Sequence, residues 1–237
     1  MNVYETKTIT ELIKGNPYVG RGIIVGTDPE GETVIAYFIM GRSENSRNRV
    51  FEVKDDGIYT RPFDESKVSD PSLIIYRAFG WADGALVVTN GDQTDTVIEC
   101  LKRGESFEAA LRTREFEPDA PNFTPRISAV VSVPGGDYKM SILKSADPEG
   151  KTCARYFFEY PGIPGLGHFI HTYVTDGNPL PSFCGEPERV AVPSDTKAFA
   201  DGIWDALDPD NRISLFVWKT DGKGNTAVYL NNKHDRR

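Results

Sequence analysis

The sequence predicts an α+β protein built on antiparallel sheets, two of them stacked face to face and covered by helices. Two observations carry this. Apolar, strand-like runs come in pairs joined by short acidic and glycine-bearing turns, at Asp28-Pro29-Glu30-Gly31, Asp55-Asp56-Gly57, Ala82-Asp83-Gly84 and Asp221-Gly222-Lys223-Gly224; these are hairpin signals. The helical patterns are grouped between runs of strands, where a doubly wound parallel sheet would alternate them one by one. With 237 residues, 39% of them hydrophobic, the chain can bury one large core. No repeat, low-complexity tract or linker divides it, so residues 1–237 are expected to form a single domain.

The elements follow in order. Ile9, Leu12 and Ile13 give a short helical pattern behind Thr10 as cap. Gly22–Gly26 and Thr33–Met40 form the first hairpin, and Val50–Val53 with Gly57–Arg61 the second. Leu73–Phe79 pairs with Ala85–Thr89. A helix over Asp92–Arg103 sets Val97, Ile98 and Leu101 on one face and stops at Gly104. The next starts at Ser106 with Phe107, Ala110 and Leu111 inward. Strands return at Ile127–Val133, Tyr138–Leu143, Ala154–Tyr160 and His168–Val174. Ser194–Leu207 is a helix on the spacing of Phe199, Ile203, Trp204 and Leu207, and Arg212–Lys219 with Thr226–Leu230 close the chain as a hairpin. The Pro/Gly-rich stretches 161–167 and 177–187 read as loops, and 233–237 as a frayed basic tail.

Composition excludes several classes. A net charge of −8 disfavours duplex nucleic acid, whose binding rests on neutralising phosphates. No apolar stretch is long enough to span a bilayer, and Met1–Lys7 lacks the apolar region of a secretory signal, so a cytoplasmic location is expected. Cys100, Cys153 and Cys184 are scattered, with no CxxC spacing, and each is expected to be a lone buried thiol. His168 and His171, three apart in a strand, face opposite sides and make no metal pair. No GxGxxG, Walker A or GxSxG pattern is present. Neither a metal nor a cofactor is expected.

Against this acidic background the block Gly41-Arg42-Ser43-Glu44-Asn45-Ser46-Arg47-Asn48-Arg49 stands out. Guanidiniums offer paired donors to phosphate or carboxylate oxygens, and Ser and Asn add short neutral donors. The block reads as an anion site for a phosphorylated small molecule, or else as a solvated basic turn. In an extended segment Arg47 and Arg49 would share a side. The string Asn90-Gly91-Asp92-Gln93-Thr94-Asp95-Thr96 leads into a helix N-terminus, where free N–H groups favour a ligand edge; Asp92 or Thr94 as a plain cap is the alternative. Glu117, between core elements, could act as a base or be a surface glutamate. Tyr76 reads by itself as a core tyrosine.

As an ordered set, these segments resemble the archaeal-type IMP cyclohydrolase family and its bacterial relatives. The matching residues are Tyr18-Val19-Gly20-Arg21, Gly41-Arg42-Ser43 through Ser46-Arg47-Asn48-Arg49, Tyr76, Asn90-Gly91 with Thr94-Asp95-Thr96, Glu117, and Thr124-Pro125-Arg126, with Thr172-Tyr173 matching loosely. The resemblance implies a four-layer αββα sandwich like that of N-terminal-nucleophile hydrolases but without the nucleophile, since Met1-Asn2 offers no Ser, Thr or Cys. It implies closure of 5-formamidoimidazole-4-carboxamide ribotide (FAICAR) to IMP, with Arg49, Tyr76 and Glu117 catalytic. Arg21, Arg42, Ser43, Arg47, Asn48, Asn90, Gly91, Thr94, Asp95 and Arg126 are then expected to bind a purine ribotide, with a homo-oligomer as the assembly. Relative to the archaeal members, residues 1–17 form an N-terminal extension, the arginine block carries one extra residue, and the region after 160 is longer. A non-catalytic ribotide sensor and an amide-cleaving hydrolase are the rival readings. Tyr76 and Glu117 disfavour the first, and the missing nucleophile disfavours the second.

Overall fold

A computed structural model of the chain describes residues 2, 4–68 and 74–234. The class is α+β, with two antiparallel sheets. One runs in the order β11 (Glu188–Ala191), β10 (Leu166–His171), β1 (Arg21–Thr27), β2 (Thr33–Met40), β12 (Arg212–Thr220), β13 (Thr226–Asn232). The other is a meander of β3 (Val50–Lys54), β4 (Gly57–Arg61), β5 (Tyr76–Ala82), β6 (Ala85–Thr89), β7 (Arg126–Ser132), β8 (Tyr138–Ser145) and β9 (Cys153–Tyr160).

β2 shows why these residues make this architecture. All of its residues are buried, and a strand alternates its side chains between faces. Ile35, Tyr37 and Ile39 enter the core between the sheets, with Phe51, Ile58, Ala129 and Met140 from the second sheet. Val34, Ala36, Phe38 and Met40 enter another core under α1 (Ile9–Ile13) and α5 (Thr196–Ala206), where Ile13, Phe199 and Ile203 meet them. A third core lies on the far side of the second sheet, where Val87 and Leu143 meet Val97, Ile98, Phe107 and Leu111 of α3 (Gln93–Lys102) and α4 (Phe107–Arg112). Each of the large side chains buried in these cores contributes about 1.5–3 kcal/mol.

Most hairpins and helices lie where the sequence puts them, and the differences have local causes. α1 is capped by Thr8, not Thr10: Thr8 accepts from Glu11 N at 3.2 Å and Glu11 answers to Thr8 N at 2.7 Å, a capping box. β5 begins at Tyr76; Ile74 and Ile75 precede it, and Leu73 is outside the described residues. β10 ends at His171, after which Thr172 and Tyr173 donate to Arg21 O and Val19 O around Gly20. β11 lies just past the 177–187 loop, where the sequence indicates no element, and forms because Val190 pairs with β10 and, in parallel, with Lys7. Of the thiols, Cys100 is buried, Cys153 half-buried and Cys184 exposed. Lys233 is held by the carbonyls of Pro209 and Asp210 at 2.9 and 2.8 Å, so it does not fray; 235–237 lie outside the described residues. No helix among the described residues is long and apolar enough to cross a membrane.

Candidate active site

Where the first residues of β1 and β3 converge on the loops 117–124 and 173–180, they enclose a cavity of ≈ 210 Å³. Arg21, Arg42, Ser43, Arg49 and Glu117 line it, with Tyr18, Asp119, Thr124 and Tyr173. Arg21, Arg49 and Glu117 are only 8%, 3% and 5% exposed.

Gly20 makes this placement achievable. Its φ is +77°, and a Cβ there would lie 2.1 Å from Thr172 Oγ1 and 2.6 Å from the Tyr173 ring, so only glycine fits. The turn it makes sends Arg21 inward, its backbone N–H donating to Thr172 Oγ1 at 3.1 Å. Arg49 enters from the other side, at the start of β3. Its Nε donates to Ser46 O at 3.1 Å, while its Nη1, like Arg21 Nε, is buried without a hydrogen-bond acceptor. Neither guanidinium forms an ion pair among the described residues. Burying a charge unpaired costs several kcal/mol, so two such cations together form a site that a bound anion or a developing oxyanion would satisfy.

Titration follows the same crowding. Burial pushes the Glu117 carboxyl above its ordinary range, against the pull of Arg21 and Arg126. Burial and then the neighbouring Arg21 pull Arg49 below the usual arginine value, opposed by Tyr76, Tyr37 and Glu117. For Arg21 burial works downward, but Tyr18 and Glu117 outweigh it together with Tyr173 and Tyr76, and the group is held above its ordinary value. Burial raises the Tyr76 phenol, with Arg49 and Arg21 opposing. Tyr76 therefore belongs to this charge cluster, although it stands behind the lining, its hydroxyl 2.8 Å from that of Tyr37.

The remaining expected residues divide. Arg42 stands at the mouth, 5.1 Å over the Tyr18 ring, paired with Asp176 and donating to Gly177 O at 2.9 Å. The arginine block is not extended: α2 (Glu44–Arg47) is a helical turn closed by reciprocal Ser43 and Ser46 contacts. Arg47 is thereby turned away from Arg49, donating to Gly41 O and Asn211 Oδ1 at 3.0 and 2.9 Å. Asn48 clasps the backbone of Asp64 in both directions at 2.7 Å.

The polar string before α3 forms the wall behind Glu117. Asn90 bridges Pro125 O and Ile127 N at 2.8 and 2.9 Å, and Thr94 bonds Thr89 at 2.7 Å. A Cβ on Gly91 would meet Arg126 Nη1 at 2.5 Å and Glu117 Oε1 at 3.5 Å, so the glycine lets these two groups approach. Arg126 Nη1 donates to Asp92 Oδ1 and Gln93 Oε1 at 2.7 and 2.6 Å; Asp92 makes no side-chain cap to α3. Asp95 faces outward, 3.1 Å from Arg77 Nε.

Tyr37, Asp119, Thr124 and Tyr173 are not among the expected site residues, although Thr124 and Tyr173 belong to the segments that carry the family resemblance. Asp119 accepts from the Thr124 hydroxyl and, at 2.6 Å, from Thr124 N; Tyr173 OH lies 2.6 Å from Thr124 Oγ1. The pattern Asp119-x4-Thr124 was the available signal for that loop. Tyr37 has none, because a tyrosine within an apolar strand looks like core.

A family profile described as IMP cyclohydrolase-like protein matches residues 18–224. The chain belongs to this family. IMP cyclohydrolase of Methanopyrus kandleri is 27% identical over 180 residues, covering 70% of this chain and 89% of that protein. IMP cyclohydrolases of Methanococcus maripaludis and Methanocaldococcus jannaschii are each 30% identical, over 120 and 116 residues; the matches cover 48% of this chain and 58% and 56% of theirs. The IMP cyclohydrolase-like match therefore takes in the whole cavity lining and excludes α1.

Proposed function

We propose that this cavity closes FAICAR to IMP. The observation that carries the reading is one buried carboxylate, Glu117, facing two buried guanidiniums that form no ion pair among the described residues, in a chain of this family. Nucleophile and electrophile sit on one substrate molecule, so holding the carboxamide nitrogen against the formyl carbon supplies much of the rate. Glu117 accepts a proton from the carboxamide NH₂ as nitrogen bonds to the formyl carbon. Arg49, with its free Nη1, stabilises the formyl oxygen as charge develops, and Tyr76 protonates it. The resulting hydroxyl then leaves as water with the proton of the former formamido nitrogen, which forms the new C=N bond, and the proton held by Glu117 returns to the Tyr76 phenolate. Arg21 binds the substrate, and Arg42 and Ser43 at the mouth take the 5′-phosphate.

The helix–sheet–sheet–helix succession of cores supports a four-layer αββα sandwich of the N-terminal-nucleophile-hydrolase kind over one domain. The chemistry assigned here needs no terminal nucleophile. Incubating the protein with FAICAR, with EDTA present, tests the reading by the ultraviolet absorbance of IMP. Turnover is expected; ribotide binding with no IMP formed would replace the enzyme by a sensor.

A further inference from the structure

A second cavity, ≈ 540 Å³, shares no lining residue with the first. It lies at the far end of the strands: Arg126, beside Glu117, pairs with Leu143 of β8, whereas this cavity takes in Tyr160 of β9, which pairs with Tyr138 at the other end of β8. Part of its wall comes from Glu5, Lys7 and Leu12, which precede the family match at residue 18. Lys7 is fixed there by hydrogen bonds with Arg189 O and Ala191 N at 3.4 and 2.8 Å.

Two polar groups in this lining await a partner, and His168 beside them uses only one ring nitrogen among the described residues. Tyr160 OH and Arg189 Nε are buried with no hydrogen bond, and Arg189 has no ion pair among the described residues. His168 stacks on Tyr160 at 3.6 Å, and its Nδ1 lies 2.6 Å from Tyr138 OH. The Tyr138 hydroxyl satisfies both atoms by donating to Nδ1, which puts the imidazole proton on Nε2. Burial and Arg189 hold His168 near pKa 4, hence neutral at pH 7. A guanidinium N–H, a phenol and an imidazole N–H are a donor set for one oxyanion. The same cavity is also lined by Glu5, Glu186 and Glu188. Glu188 lies 3.4 Å from His171 Nε2, whereas Glu5 and Glu186 form no ion pair among the described residues and would repel a polyanion and attract a cation.

We propose that this cavity binds a small zwitterion of the α-amino-acid type, with its carboxylate on Arg189, Tyr160 and His168 and its ammonium beside Glu5 and Glu186. The N-terminal segment makes the site a property of this chain beyond the matched family region.

Ligand-detected NMR and thermal melting of the full chain with each proteinogenic amino acid at about 5 mM, beside acetate and inorganic phosphate, test this. At least one amino acid should bind saturably and more tightly than acetate or phosphate. Arg189→Gln and Tyr160→Phe should each weaken that binding by about tenfold or more without altering FAICAR turnover. Glu117→Gln should leave it intact. Failure of every amino acid to bind saturably, preference for phosphate, or binding unchanged in both cavity variants would overturn the proposal.

Discussion

Glu117 carries the sharpest prediction at the scale of single residues. Glu117→Gln keeps the shape and removes the proposed base, and Tyr76→Phe keeps the ring and removes the proposed donor. Each should lower kcat by roughly 10²–10⁴-fold while leaving binding of the unformylated ribotide measurable by calorimetry. Near-normal kcat in both would make the pair structural. The raised Glu117 pKa has two consequences. The acid limb of kcat/KM should sit above the ordinary carboxylate value. Stability contributed by the protonated form is complete below the unfolded value of 4.5 and is lost as pH rises through the higher folded one, so Glu117→Gln should melt higher than wild type at neutral pH. Arg49→Lys loses the planar fork and should lower kcat; unchanged kcat would remove Arg49 from the reacting centre. Arg49, Tyr76 and Glu117 could be singled out because they carry the family pattern, and the structure brings all three into one charge cluster. The hydroxyl of Tyr37 was illegible, because its bond to Tyr76 joins β2 to β5 across the gap between sheets and no local spacing records that.

The elements divide the same arginine-rich and polar strings into residues that line the cavity and residues that brace the backbone around it. Sequence alternation puts Arg47 beside Arg49; the helical turn of α2, closed by Ser43 and Ser46, separates them. Arg47→Gln and Asn48→Ala should therefore cost about 1–2 kcal/mol in urea denaturation through lost backbone anchors, with KM little changed. A rise in KM without loss of stability would return them to the site. Asp95→Asn, on the outer face of α3 beside Arg77, should leave substrate-analogue affinity unchanged. Hairpins were readable because Asp-Gly turns are local chemistry. β11 was not, because its four residues become a strand only through β10 on one side and Lys7 on the other.

Across the whole molecule, the two cavities give the pH response two sources. His168, facing Tyr138, Tyr160 and Arg189, is held at about 4 against an ordinary 6.5. As pH falls, the unfolded chain takes up its proton near 6.5 and the folded chain only near 4. Stability should decline across that window, with the contribution gone below it. Urea midpoints measured from pH 7 to pH 4 should drop less in His168→Gln than in wild type; equal drops would assign the acid sensitivity elsewhere. The class and four hairpin pairings followed from turn signals spread over the chain, and the burial of β2 on both faces from its unbroken apolar run, whereas the long-range pairings of β1 with β10 and β2 with β12 leave no local signal. One feature of the sheet reaches beyond the single molecule. β11 would present an open row of backbone donors and acceptors, and such an edge recruits further strands from other chains. The contact from Lys7 to Val190 occupies part of it. Lys7 thereby covers an edge that would otherwise be open to edge-to-edge association: a chain shortened to begin at Thr8 should scatter light more steeply with concentration than the intact chain.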